Sequence, residues 1–356
     1  MILPAHDVNS QEILSVIAKR TYDIRNGEVC IPSEEQMDFV ISDVYCNKDD
    51  LINTNCEFES DLVPYKLATD VVLLGKAYAI DGYPVERMDV SLEIGSHQKT
   101  IRVIGNRYCK CRTLRDPWLS DPQPFTTMEL RYDLAYGGVD MLSQEGQKLS
   151  YPRNPIGRGF VVKKRKECVE GLQLPNIEDP CYLLTPGNLI VEDMKNWERQ
   201  PNPQGFGWYG RSWQPRISFF GIMPAHKPIY DKMKESSADY VPQEQNENFK
   251  KINPSIVDFR FFNGASPGLI LSDIKGDENV RLVGMDINGS FSFKLPGKAP
   301  VIMIDIGEGF QKPDVALQTV CIMKEENKLY MVWRGAIEYI GLENMSKLTN
   351  LEVKVE

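Results

Sequence analysis

Met88-Asp-Val-Ser-Leu-Glu-Ile-Gly-Ser-His-Gln-Lys-Thr-Ile-Arg-Val-Ile104 decides the fold class. Met88, Val90, Leu92 and Ile94 recur with a period of two, which is the period that sends alternate side chains of a strand to opposite faces. Ile101 and Val103 then share one face while Arg102 takes the other. Between the two runs lies Gly95-Ser96-His97-Gln98, polar and led by glycine as a turn between paired strands requires. The stretch reads as a β-hairpin.

Strand signals extend outward from it in both directions. Upstream, Asp70-Val-Val-Leu-Leu-Gly-Lys-Ala-Tyr-Ala79 is a short apolar run rich in β-branched residues, so it reads as a buried strand. With Asp81-Gly82-Tyr83-Pro84 turning the chain, residues 61–105 are expected to form an antiparallel meander. Val16, Ala18, Arg20 and Tyr22 fit strand alternation as well as they fit a helix. Downstream, strands are expected at Val257-Asp-Phe-Arg-Phe261, Asn279–Gly284, Ser290–Leu295, Val301–Asp305, Leu317–Met323 and Lys328–Trp333. Gly276-Asp277, Asn288-Gly289, Pro296-Gly297 and Glu326-Asn327 separate them, and short strands at this spacing point to a sandwich or barrel. Asn288-Gly289 is the strongest hairpin signal in the chain.

The texture changes between about residues 106 and 255, where prolines from Pro117 to Pro242 interrupt every long element. Trp118, Trp197, Phe206, Trp208, Trp213, Phe219 and Phe220 supply too much apolar surface for disorder, so these loops are expected to pack on the sheets. Lys232–Lys251 is the polar exception, suited to a surface helix or a loop. The organisation expected is mainly β: an N-terminal β-rich half (1–165), a loop-rich connecting region packed on the sheets (166–254) and a C-terminal antiparallel β-rich half (255–356). The two halves are sandwich- or barrel-like.

The 356 residues suffice for a self-contained core, and Lys+Arg 41 against Asp+Glu 50 gives a formal net charge of -9. That balance disfavours nucleic acid as a partner, and the basic cluster Lys163-Lys164-Arg165-Lys166 lacks interleaved aromatics that could stack bases. No run of eighteen apolar residues would span a membrane, and the opening Met1-Ile2-Leu3-Pro4 has no basic region leading into an apolar one. A cytoplasmic protein without membrane insertion is the expectation. The 8 cysteines are spread irregularly, so reduced thiols are expected. Cys109-Lys110-Cys111 alone is a weak metal signal, and neither metal nor cofactor is expected.

Chemistry is constrained by having 3 histidines. His6 falls in an N-terminal segment expected to be flexible, His97 in the hairpin turn, and His226 between Pro224 and Pro228. Neither H-E-x-x-H nor G-x-S-x-G occurs. Gly205-Phe-Gly-Trp-Tyr-Gly210 matches a bare G-x-G-x-x-G, but no strand precedes it and its bulky aromatics would block a pyrophosphate.

What remains distinctive is a set of segments mixing glycine, arginine, acids or amides, and aromatics. Arg131-Tyr-Asp-Leu-Ala-Tyr-Gly-Gly138 runs from a strand into a Gly-Gly turn that permits positive φ. Asn154-Pro-Ile-Gly-Arg-Gly-Phe160 flanks Arg158 with glycines. Pro175-Asn-Ile-Glu178 places a carboxylate after a rigid turn, and Trp213-Gln-Pro-Arg216 adds another aromatic and arginine. Three readings follow. The arginines pair with Asp133, Glu178 or carbonyls and hold irregular loops in place; the loops converge into a recognition surface; or Asp133 and Glu178 form the two-carboxylate pair of a carbohydrate-active or other hydrolase.

The same segments resemble a bacterial family of domains of unknown function whose members accompany type VI secretion genes. The resemblance runs nearly the whole chain, through Leu62-Val-Pro-Tyr-Lys66, Thr69–Gly75, Lys99–Gly105, Pro124-Phe125, Leu130–Gly138, Arg153–Phe160, Leu174–Glu178, Trp213–Arg216, Phe261-Phe-Asn263 and Val332-Trp-Arg334. It implies a cytoplasmic adaptor or chaperone that bridges a toxin effector and the spike protein, often beside a PAAR-type tip, and it implies no catalysis. The partner-binding label it carries falls on Arg131, Tyr132, Asp133, Tyr136, Asn154, Arg158, Asn176, Glu178, Trp213 and Arg216. Residues 179–204 and 231–252 depart from the pattern, and partner specificity or tolerance of insertion is expected there.

Overall fold

In a computed structural model, the residues described are 1–7, 9, 11–49, 54–111, 117–140, 149–162, 169–191, 197, 199–220, 258–307, 309–339, 341 and 352–355. The basic cluster at 163–166, His226 and the polar stretch 232–251 lie outside them.

Mainly β structure is what forms, in several sheets of which none closes into a barrel. The first principal sheet orders its strands Ile2–His6, Glu12–Asp23, Lys328–Glu338, Val315–Met323, Thr69–Leu74 and Ile270–Leu271, with Ile31–Pro32 added beside Glu12–Asp23. Its spine is the long antiparallel pair that runs without a break from Ile13 opposite Glu338 to Asp23 opposite Lys328. The second orders Ile177–Glu178, His97–Ile104, Arg87–Ile94, Asn279–Val283 and Ser290–Lys294, all antiparallel. Each principal sheet joins strands from the first third of the chain to strands from its last third.

Alternation explains how the two sheets meet. Val71, Leu73, Val320, Ile322, Leu329, Met331 and Trp333 of the first sheet share one core with Val90, Leu92, Ile94, Ile101, Val103, Val280, Leu282, Phe291 and Phe293 of the second, which is the sandwich arrangement. A smaller core gathers Tyr136, Tyr151, Phe160, Leu174, Leu189 and Trp197 from the middle of the chain. A third, of Leu14, Val16, Ile302, Ile304 and Ile337, lies where the pair Ile302–Asp305 and Glu352–Val355 packs on the end of the first sheet.

Lys19, Thr21, Tyr330 and Arg334 carry polar groups on strands of the first sheet, and residues from 36–38 and 58–61 meet them. Lys19 Nζ donates to Asp38 O and to Asp61 Oδ2, both at 2.9 Å. Thr21 exchanges bonds with Gln36 and Met37, and Arg334 Nη2 donates to Asp61 O at 2.5 Å.

Several local expectations need correction. Residues 61–105 are no single meander, because Thr69–Leu74 leaves for the first sheet and pairs there in parallel with Val315–Met323. Nothing in a local pattern reveals a parallel partner that far along the chain. Val257–Phe261 is no strand in its described part, since Phe259–Phe262 forms a 3-10 turn whose first free amide is capped by Asp258 accepting from Arg260 N–H. Tyr132–Leu134 is likewise a 3-10 turn rather than the end of a strand. His97 is the first residue of its strand, opposite Ile94, and its Nε2 lies 2.7 Å from Asp273 Oδ1. His6 ends the edge strand, opposite Glu12, and is not loose. The Asn288-Gly289 hairpin forms, but through the longer connection from Gly284 to Gly289, with Gly289 at φ 88.

The core reading is tested by truncation. Leu282, fully buried between Leu92 and Phe291 in the second sheet, is expected to cost about 2–5 kcal/mol as Leu282→Ala. Exposed Ile287→Ala is expected to stay within about 0.5 kcal/mol. Urea unfolding of the two variants checks the contrast.

Candidate functional site

The segments singled out in the sequence pack partly into the main core and partly into the smaller one, and the structure uses most of their side chains internally. Tyr136-Gly137 pairs in parallel with Arg158-Gly159. Gly137 and Gly138 sit at φ 148 and 103, and a Cβ on Gly137 would lie 2.1 Å from Asn154 O; only glycine serves there. Asn154, fully buried, donates from Nδ2 to Tyr132 O at 2.8 Å and to Tyr136 O at 3.1 Å. Asn176, also fully buried, donates to Ile104 O at 2.9 Å. Arg158 spans the layer, with Nε on Asp133 O at 2.9 Å and Nη1 on Asn176 Oδ1 at 3.1 Å.

Tyr132, Tyr136, Asn154, Asn176, Glu178, Trp213 and Arg216 are all buried. Tyr132, Tyr209 and Trp213 stack edge to face, with centroids 5.1 to 5.6 Å apart. The 205–210 glycines serve this packing: a Cβ on Gly205 would lie 2.9 Å from the Tyr132 ring, and one on Gly210 2.5 Å from Trp213. Of the motif residues only Arg131 is exposed, with Asp133 and Arg158 half-buried. Arg131 Nη2 pairs with Asp133 Oδ2 at 3.0 Å, and Asp133 Oδ1 also accepts from Asn55 Nδ2 at 2.8 Å.

The buried charges are held in pairs. Arg216 makes a two-pronged contact with Glu59, Nη2 to Oε2 at 2.8 Å, and gives Nε to Phe261 O at 2.9 Å. Burial opposes the Glu59 charge, but Arg216, then Arg211 and Lys66, hold its carboxyl below the usual range. Asp70, fully buried, accepts from Lys66 Nζ at 2.6 Å and from the Asn263 amide and the Gly264 and Ala265 N–H groups. Glu178 accepts from Arg107 and, at 2.7 Å, from Leu184 N–H. Burial pushes its carboxyl up, and Arg107 pulls against that.

Asp133 and Glu178 are thus each committed to neighbours, and neither lines either of the two clefts described below. A second arrangement of chemical interest is Ser266, fully buried. Its Oγ accepts from Lys99 Nζ at 2.5 Å and from Tyr132 OH at 2.7 Å, and donates to Gly205 O at 2.7 Å. A lysine beside a serine can activate it as a nucleophile. Here the hydroxyl proton is bound to a carbonyl and Ser266 lines neither of the two clefts described below, so the geometry ties strands and loops together.

Open concave surface lies elsewhere. A cleft of about 200 Å³ is bounded by Cys46, Glu57, Phe58, Glu129, Arg131, Tyr132, Trp208, Glu325 and Glu326. A groove of about 360 Å³ lies between 65–69, 272–275 and 315–317, with Trp333 in its wall. Beside it Tyr65, Leu67 and Ile270 are exposed. Of the residues expected to bind a partner, Arg131 and Tyr132 line the first cleft; sequence reasoning did not find the rest of either lining. The cleft's acids come from separate turns and strands, and the one local hint, Glu325-Glu326, reads as turn composition. Among the described residues no group of three or more His, Cys, Asp or Glu could hold a metal ion, and no helix is long and apolar enough to cross a membrane.

Two predictions follow from the paired charges. Glu59→Gln leaves Arg216 buried without its partner and is expected to cost about 3–5 kcal/mol. Arg102→Gln, breaking the exposed Arg102–Asp89 pair, is expected to cost about 0–1 kcal/mol; denaturant melts compare them. Lys99 titrates at about 7 because burial lowers it from 10.5. The unfolded chain then holds more protons in that window, so its native state gains stability as pH rises through it. Wild type is accordingly expected to gain on Lys99→Met between about pH 7 and about pH 10, measured as the difference in unfolding free energy.

No curated protein and no solved structure matches the chain. Residues 9–334, which include the second principal sheet and the first but for its edge strand Ile2–His6 and the last residues of Lys328–Glu338, match a family described as an uncharacterized protein conserved in bacteria (DUF2169). The chain belongs to that bacterial family.

Proposed function

We propose that the protein is a cytoplasmic accessory factor of a bacterial type VI secretion system, a non-enzymatic adaptor or chaperone that binds a toxin effector and helps load it onto the spike, beside a PAAR-type tip. The ordered set of motifs that resembles such accessory proteins supports this reading. The observation that carries it is how the chain spends its polar side chains. Asp133, Glu178 and Ser266, the groups best suited to chemistry, are engaged by neighbours, while the concave surfaces offer acids, aromatics and apolar rims. Those are the materials of protein recognition, where aromatic anchors and charge complementarity give specificity. The braced loop layer suits the role, because a scaffold that meets two partners gains affinity by holding its surface in one shape beforehand.

In the native bacterium a tagged full-length copy is expected to co-purify a toxin effector and a spike protein in near-stoichiometric amounts. Deleting the gene is expected to abolish secretion of that effector while the tube protein of the machine is still released. Recovery of neither partner, or simultaneous loss of tube release, contradicts the adaptor role.

A further inference from the structure

The hydrogen-bond phase of the long antiparallel pair decides where the next strand presents its backbone. Tyr339 N–H donates to Glu12 O at one end of that pair, at 3.0 Å, and Ile24 N–H donates to Asn327 O at the other, at 2.9 Å. Opposite residues of an antiparallel pair alternate between exchanging both backbone bonds and exchanging none. The odd-numbered residues from Leu329 to Ile337 therefore bond to Glu12–Asp23, and the even-numbered ones turn to Val315–Met323. Ala316 exchanges bonds with Arg334, while Val315 and Leu317 send their N–H and C=O groups to the far edge. Leu317 O is met there by Thr69 Oγ1 at 2.8 Å, as this phase requires. Thr69–Leu74 fills that edge only from Thr319 to Met323. Before the bulge between Leu317 and Thr319, no described strand pairs with Val315 or Leu317 on this side. The chain ahead of Thr69 runs instead through residues 65–68 along the opposite wall of the 360 Å³ groove. The groove is thus a fork between two strands, faced by Val315 N–H, Val315 C=O and Leu317 N–H, none of which is bonded by the described residues.

The lining says what fits the fork. Alternating backbone donors and acceptors along a free edge are matched by the main chain of another strand. Ile274, Leu317 and Trp333 supply an apolar floor, with Trp333 almost wholly buried and Leu67 and Tyr65 exposed at the rim. Lys66 and Lys275 are the charged lining residues, and no carboxylate lines the groove. Lys66 Nζ is taken by Asp70 and Thr319. Lys275 is exposed, and of its groups only the backbone N–H, donating to Glu278 Oε1 at 2.6 Å, meets a carboxylate among the described residues. Asp273, Asp277 and Asp314 adjoin the groove in sequence without lining it, and Asp273 is held by His97 at 2.7 Å. In a chain of net charge -9 this groove is complementary to a carboxylate.

We propose that this fork receives an extended segment of a partner polypeptide, which pairs through its main chain with Val315 and Leu317 and places an acidic side chain at Lys275. Successive side chains of a strand point to opposite faces. A segment that alternates apolar, acidic and apolar residues therefore seats its apolar ones on Ile274, Leu317 and Trp333 while its carboxylate stays at the exposed rim. The run from Val315 to Leu317 is about 10 Å long, room for roughly three residues. Main-chain bonds supply the grip and the lining selects the sequence. This deepens the adaptor reading and rests on it only for the partner's identity.

The test titrates the full chain by calorimetry with a capped Thr-Val-Glu-Val-Thr peptide and with two N-methylated forms, one methylated at both valines and one at the glutamate. Saturable one-to-one binding of the parent is expected. Along a paired strand the N–H groups alternate between partner and solvent, so one methylated form is expected to bind about three- to tenfold more weakly and the other to match the parent. Lys275→Gln is expected to weaken the parent about two- to fivefold. Lys48→Gln makes the same charge change on an exposed residue outside the groove and is expected to leave affinity unchanged. Val315→Pro, used if its melting profile stays cooperative, removes an N–H that faces the fork and is expected to weaken the parent as well. Absence of saturable binding overturns the proposal, as does equal affinity of the two methylated forms or equal loss in Lys48→Gln. A chain that sediments as a dimer until Val315→Pro separates it has a second copy in the fork, and that also overturns it. Failure here with effector and spike still co-purifying rejects the fork alone; peptide capture without either partner rejects the secretion role and leaves the fork standing.

Discussion

A buried backbone N–H or C=O must find a partner, and leaving one without costs about 1–3 kcal/mol. In the proline-broken middle of this chain that constraint falls on side chains. The carbonyls of Tyr132, Tyr136, Ile104, Asp133 and Pro175 accept from Asn154, Asn176, Arg158 and Arg107. Without these bonds the loops could bury their tyrosines and tryptophans only by stranding polar backbone. With them, irregular chain packs into cores of its own and into that of the sheets.

The same logic explains the charges. Arg216 with Glu59 and Lys66 with Asp70 are almost wholly buried, and such pairs add little net stability because desolvation cancels most of the attraction. Their value here is positional. Asp70 is the second residue of a strand of the first sheet and fixes the amides of Gly264 and Ala265. Arg216 joins the Phe261 and Tyr209 carbonyls to Glu59. Segments distant in sequence are thereby held in one register around the core, and the acidic cleft keeps its shape because its back wall, Tyr132 and Trp208, belongs to that core.

Strands with local signals were legible from sequence, as at 88–104, 279–294 and 328–333, the last of which runs on to Glu338. The parallel contact of Thr69–Leu74 with Val315–Met323 was not, since pairing across more than two hundred residues leaves no local trace. Phe259–Phe262 looks β-rich in composition, yet Asp258 caps it into a 3-10 turn; an acid just before an aromatic run was the available signal. The glycine- and arginine-bearing motifs stood out in the sequence, and side-chain chemistry alone could not tell a brace from a binding residue. Asn154, Asn176 and Trp213 are buried in the folded chain. The cleft was illegible because its residues run from Cys46 to Glu326 and only tertiary folding gathers them.

A rigid frame with a charged recess on its surface unites these features, and the bracing of the loop layer is the claim on which the rest stands. Native-state hydrogen exchange reads it directly at the amides of Arg158, Phe160 and Asn176, which donate to Ala135, Gly137 and Leu134 carbonyls. The account predicts that these amides exchange only through the same opening that exposes the sandwich core at Leu282 and Val320, with matching free energies. Exchange there that is orders of magnitude faster than in the core would contradict it, because the loop layer would then be an independently opening flap.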